Sequence, residues 1–128
     1  MKIISIEFPT PLTEISNTKD DNVDVFVELD DGIIYTLVVA TPKNLETLME
    51  RENTGYLPAA APMIIVQEIT EENIREALET YLNNNAYWLK LYFLAAEFNQ
   101  DVFEEMLNKI KVDNEVIHNL KKNNNYLE

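Results

Sequence analysis

The chain has no cysteine among its 128 residues, which excludes disulfide staples, thiol nucleophiles and cysteine-bound zinc. It has only two glycines, Gly32 and Gly55, too few for the glycine-rich loops that bring a backbone close to phosphates. A single histidine, His118, leaves a histidine metal site without its other ligands and supplies no complete triad. It stands beside Asn119 in a segment that reads as a surface helix, where an incidental, exposed role is expected. No apolar run approaches the roughly 18 residues of a membrane span. Glu7 interrupts the N-terminal MKIISIEFPT before a signal-peptide core forms. A cytoplasmic chain without a cofactor or a membrane partner is the expectation.

Basic residues are also scarce. Ten stand against 23 acidic ones, a formal net charge of -13. Such a chain repels phosphate backbones and anionic lipids, so direct nucleic-acid binding is not expected. A basic protein partner would be attracted and its approach accelerated, although an acidic surface can equally serve solubility alone. The acidity lies in the body of the chain: residues 1–108 hold 6 basic and 20 acidic residues, whereas 109–128 hold 4 and 3. A folded acidic face can hold carboxylates at fixed positions for the lysines and arginines of a partner.

The remaining composition is that of a globular protein, 46% hydrophobic and 26% charged. The length fits one domain over 1–128, with 123–128 as a frayed tail. Residues 2–8 alternate with Ile4, Ile6 and Phe8 on one face, a strand pattern ended by Pro9 and Pro11. Residues 12–22 are polar and read as a loop. Residues 23–29 alternate again, with Val23, Val25, Val27 and Leu29 on one face, and Asp30-Asp31-Gly32 predicts a hairpin into 33–40. That second strand is apolar on both faces, which predicts a central position with its second face at least partly covered. Thr41-Pro42 predicts the start of a helix running to about Arg51, and a loop with Gly55, Pro58 and Pro62 leads to a strand over 63–69.

Thr70, with Ile69 and Ile74 as a hydrophobic staple, opens a second helix whose stripe is Ile74, Ala77, Leu78, Tyr81 and Leu82. Glu71 and Glu72 suit the positive end of its dipole, and Asn83–Asn85 stops it. Residues 86–98 read as helix, with a strand as the alternative. A capping box at Asp101 and Glu104 predicts a helix over 101–111, and a shorter one over 114–122 follows. The fold class is therefore α+β: a small, mainly antiparallel sheet of about four strands with three to five helices packed on it.

Carboxylate-rich stretches do not form a catalytic or metal pattern. Asp20, Asp21, Asp24, Asp30 and Asp31 lack the spacing, central glycine and final glutamate of a calcium loop. Glu71-Glu72 and Glu104-Glu105 read as first-turn dipole partners and not as an acid-base pair. The aromatic cluster of Tyr81, Tyr87, Trp88, Tyr92 and Phe93 is read as core, with a protein-binding hot spot as the alternative. Tyr56 is either a loop anchor or an exposed contact residue.

Three segments, DGIIYTLVVATPKNLETLM (31–49), PMIIVQEITEENIREAL (62–78) and YWLKLYFLA (87–95), resemble small acidic bacterial proteins. Several such proteins look like immunity proteins of polymorphic-toxin or contact-dependent-inhibition systems. The resemblance implies a non-catalytic, cytoplasmic inhibitor that covers a cognate toxin domain, often a basic nuclease, and it brings no binding motif to particular positions. The candidate contact residues, chosen for charge and expected exposure, are Asp30, Asp31, Glu50, Glu52, Tyr56, Glu71, Glu72 and Glu76. A structural or assembly module acting as a homodimer and a metal-dependent carboxylate enzyme are the alternatives, and the chain is expected to be a monomer or a homodimer.

Overall fold

The computed structural model describes residues 1–58 and 63–124. The chain comprises two compact units, one ending at Ala96 and one beginning at Glu97. The first carries a four-stranded mixed sheet, mostly antiparallel, in the order β1 (Ile3–Glu7), β2 (Asn22–Leu29), β3 (Ile34–Ala40), β4 (Met63–Ile65). With α1 (Pro42–Glu52), α2 (Glu71–Tyr81) and α3 (Asn83–Glu97) it makes an α+β fold. The second unit holds α4 (Gln100–Asn124).

β2 and β3 pair antiparallel in a register that sets Val23 against Val39, Val25 against Leu37 and Val27 against Tyr35. Because side chains alternate along a strand, these six share one face, and all are buried. Ile74 and Leu78 of α2 and Ala86 and Leu89 of α3 join them in one apolar core. β3 does lie centrally, between antiparallel β2 and parallel β4. Its second face is covered only at the Val38–Ala40 end. There Leu45 and Met49 of α1 line an apolar recess with Met63 and Ile65, which alternate with buried Ile64. Towards the hairpin Ile34 and Thr36 remain exposed.

The hairpin loop is a tight turn closed by the Gly32 N–H donating to Leu29 O at 3.0 Å, followed by Gly32 in the left-handed region (φ 81°). This three-residue form needs glycine at that point, which explains the Asp-Asp-Gly sequence. β1 departs from its alternating pattern. Ile3 pairs with Leu29 and Ser5 with Glu28, so Ile4 is an extra residue in a bulge. Ile3, Ile6 and Phe8 therefore pack against the core, and Ile4 is turned outward.

Both predicted helix starts are present. Thr41 Oγ1 accepts from the Asn44 N–H at 3.2 Å with Pro42 in the first helical turn, and Thr70 Oγ1 accepts from the Asn73 N–H at 3.0 Å. The 63–69 strand is shorter than expected, because after Ile65 the chain bends at Gln67 and Glu68. Residues 86–98 are helical through Glu97, but Asn84, Asn85 and Ala86 wind left-handed (φ 56–57°) before the right-handed part begins. Asparagine tolerates that region; alanine does so at a cost. The two helices expected at 101–111 and 114–122 are one continuous α4, capped two residues earlier than expected: Asn99 Oδ1 accepts from the Val102 N–H at 2.9 Å. Asn123 and Asn124 close α4, while Pro62 and the tail beyond 124 lie outside the described residues.

The stretch 17–22, read as a plain polar loop, instead ties together three elements. Thr18 O accepts from the Ile69 N–H (2.7 Å) and Thr18 Oγ1 donates to Glu68 (2.6 Å), holding the lead-in to α2. Lys19 O accepts from buried Thr41 Oγ1 (2.7 Å), and Asp20 accepts from Asn44 Nδ2 (3.2 Å) and Thr47 Oγ1 (2.9 Å), holding the start of α1. Asn22 Nδ2 donates to Asn44 Oδ1 (2.8 Å) at the first residue of β2.

Thr41→Val keeps the shape but removes a cap and leaves the Lys19 carbonyl without its donor. It should lower unfolding stability by about 2 kcal/mol in urea denaturation. At exposed Asn85, valine should cost ~1–2 kcal/mol because a branched side chain clashes in the left-handed region, whereas Asn85→Gly should be neutral or slightly stabilising.

Candidate protein-binding surface

The hairpin tip presents two carboxylates in fixed positions. Asp30 Oδ1 accepts from the Lys2 N–H at 3.0 Å, and the Asp30 N–H donates to Lys2 O at 2.9 Å, locking the tip to β1. Asp31 accepts from the Ile33 N–H (3.0 Å) and from the hydroxyl of Tyr35 (2.7 Å). Partial desolvation of the Asp31 carboxyl pushes its pKa upward. The bonds from Tyr35 and Ile33, with the charge of Lys90, outweigh this and hold it below the ordinary carboxylate range. Burial first, and then the bond and charge of Asp31, push the Tyr35 phenol up, so it stays a donor. The Tyr35 ring stacks edge-to-face on Phe93 of α3 at 5.1 Å, tying the exposed tip to the core.

A second group lies at the C-terminal end of α1. Asn53 is left-handed (φ 56°), its N–H donates to Glu50 O, and the Thr54 N–H donates to Met49 O, a pattern that closes the last helical turn. Thr54 Oγ1 then donates to Tyr56 O at 2.7 Å, fixing the loop that carries Tyr56. Glu50, Glu52 and Tyr56 are all exposed, Tyr56 by 68%. α1 leaves from the C-terminal end of β3, and Met49, one residue before Glu50, lies beside Met63 and Ile65 of parallel β4 at the Val38–Ala40 end of the sheet.

Glu71, Glu72 and Glu76 lie elsewhere. They belong to α2, which follows β4 out of the opposite end of the sheet and packs on the other face from α1. Glu76 borders a 330 Å³ groove between α2 and the residues of β4 and its exit, lined also by Ile65, Gln67, Asn73 and Thr80. The eight candidate residues therefore fall into three groups: Asp30 and Asp31 at the hairpin tip, Glu50, Glu52 and Tyr56 at and just after the end of α1, and the three glutamates of α2. Because α1 and α2 pack on opposite faces of the sheet, one flat footprint does not cover the last two groups.

The aromatic cluster divides as well. Tyr81 and Phe93 pack against the core, whereas Tyr87 and Trp88 are 56% and 53% exposed and stack on each other at 5.5 Å. Tyr92 extends this outer face, 6.3 Å from Trp88. The three left-handed residues before Tyr87 set the rotation of α3, burying Ala86 and Leu89 and turning Tyr87 and Trp88 outward. The hydrophobicity of YWLKLYF hides that division, because inward and outward positions are equally apolar.

Among the described residues, no group of three or more His, Asp or Glu side chains converges as a metal site, and no helix is long and apolar enough to cross a membrane. Comparison with protein-family models, curated proteins and solved structures finds no match to this chain.

Tyr35→Phe should cost about 1 kcal/mol at pH 7 by removing the hydroxyl bond. A carboxyl with a depressed folded pKa stabilises above its unfolded value, ~3.9, and loses that contribution as the pH falls through the folded value. The variant should therefore fall short of the wild type at pH 7 and approach it near pH 2 in urea titrations. An equal deficit at both pH values would remove Asp31 as the phenol's functional partner.

Proposed function

We propose that this chain is an acidic binding protein of the immunity or inhibitor kind, which acts without catalysis in the cytoplasm by covering a basic surface of a protein partner, such as a toxin nuclease domain. One observation carries the reading: the acidity of the folded body is not neutralised from within. Residues 1–96 contain 16 acidic and 6 basic side chains. Among the described residues, the one ion pair is Lys43 with Glu46, at 3.9 Å between two exposed side chains. The carboxylates that are bound internally receive neutral donors, as at Asp20, Asp31 and Glu68, so their charge remains.

A field of this sign steers a basic partner and disfavours nucleic acid. Carboxylates held on a hairpin tip and a closed helix end lose little freedom on binding, which favours affinity. The preferred contact joins the hairpin tip and the end of α1, with Asp30, Asp31, Glu50, Glu52 and Tyr56. It combines positioned carboxylates with an exposed aromatic, the residue kinds that anchor interfaces.

The test is affinity capture from native lysate at low and moderate salt with three baits. The wild type should retain a basic protein that salt loosens. Glu50→Lys with Glu52→Lys should weaken that capture at least ~10-fold, whereas Glu71→Gln with Glu72→Gln on α2 should leave it intact. Retention of no basic protein, or equal capture by all three baits, would overturn the reading.

A further inference from the structure

The second unit carries a pattern that the acidic body does not explain. Along α4, Phe103, Met106, Ile110, Asp113, Ile117 and Leu120 recur at alternating spacings of three and four. Met106, Ile110, Ile117 and Leu120 are 47–53% exposed. A repeat averaging 3.5 residues drifts around a lone helix but stays on one side of two helices wound together. Propensity alone gives only marginal stability to a helix in water, and most helices depend on packing of their apolar face.

Charge selects the occupant of that face. Residues 100–108 hold three acidic side chains, Asp101, Glu104 and Glu105, and no basic one. Residues 109–124 hold four lysines against Asp113 and Glu115. A parallel pair would set acidic half beside acidic half and basic beside basic. An antiparallel pair sets each acidic stretch beside the end of the other helix that carries Lys121 and Lys122, and it opposes the two helix dipoles.

The spacing also selects a register. Setting Met106 level with Ile117 of the other helix places Phe103 level with Leu120 and Ile110 level with Asp113. Every layer of the stripe is then filled from both sides. Asp101 lies level with Lys122. Asp113, the polar member, stands one residue from the level of Lys109 on the opposite helix, where the lysine can reach it. A single polar position of this kind disfavours slipped alignments.

We propose that α4 is a self-association helix, pairing antiparallel with α4 of a second copy of this chain in the register Met106 to Ile117. The paired unit carries two acidic bodies. This inference is independent of the identity of any basic partner.

The full chain should sediment as a dimer at micromolar concentration, and Ile110→Glu with Ile117→Glu should make it a monomer. Those substitutions can also melt the helix, so cross-linking supplies the decisive readout, aided by the absence of native cysteine. Full-length Met106→Cys and Ile117→Cys chains are oxidised separately and as a mixture. The mixture should form the mixed disulfide dimer. Neither chain alone should, because in the antiparallel register like positions are separated by 11 residues, ~16 Å along the helix. A monomeric wild type would overturn the proposal, as would self-cross-linking of Met106→Cys, which marks a parallel pair.

Discussion

The first unit depends on a polar knot at one end of its sheet. Residues 17–22 meet the start of α1 through Thr41, Asn44 and Thr47, and the lead-in to α2 through Glu68 and Ile69. α1 and α2 lie on opposite faces of the sheet. The knot joins their N-terminal ends with hydrogen bonds from neutral donors, several of them made by buried Thr41 and Asn44. Buried polar groups of this kind stabilise only when all are satisfied, and none among the described side chains is left without a partner. Asn44 is the most shared member, since its amide meets both Asp20 of the loop and Asn22 of β2.

The same economy of charge appears at the other end. Asp31 is held by a phenol and a backbone amide, as Asp20 is held by an amide and a hydroxyl. Neither carboxylate makes an ion pair among the described residues, and at Asp31 the charge of Lys90 acts only from beyond ion-pair distance. Neutral donors position the acid without cancelling it. The result is a surface that remains negative but is not floppy, the combination that recognition of a basic partner requires. The cost is self-repulsion within the body, carried by the apolar core between the sheet and the helices α2 and α3.

Much of this fold was legible because local chemistry and global position agree. Thr41-Pro42 and Thr70 cap helices wherever they stand, and Asp-Asp-Gly supplies the left-handed residue that a three-residue hairpin needs. The bulge at Ile4 was not legible, since a period-2 pattern of isoleucines reads the same in either phase. The 17–22 knot was hidden for another reason. Its bonds span 22 to 51 positions, and nothing local distinguishes a binding Asp20 from a solvated one. In α4, Val112 and Asp113 read as a break between two helices, yet in a continuous helix Asp113 falls in the middle of an apolar stripe.

The candidate surface was legible in kind and not in arrangement. Charge and turn chemistry mark Asp30, Asp31, Glu50, Glu52, Glu71, Glu72 and Glu76 as outward-facing and leave Tyr56 open between a loop anchor and an exposed contact, but which helices share a sheet face follows from the β3–α1–β4 crossover. A parallel β4 is what sends the start of α2 out of the sheet at the end away from the hairpin. Strand direction is set by the length and packing of the connection and not by any residue in the acidic set. The placement of the acidic groups is thus a property of topology, and the pairing helix α4 would double each group without changing it.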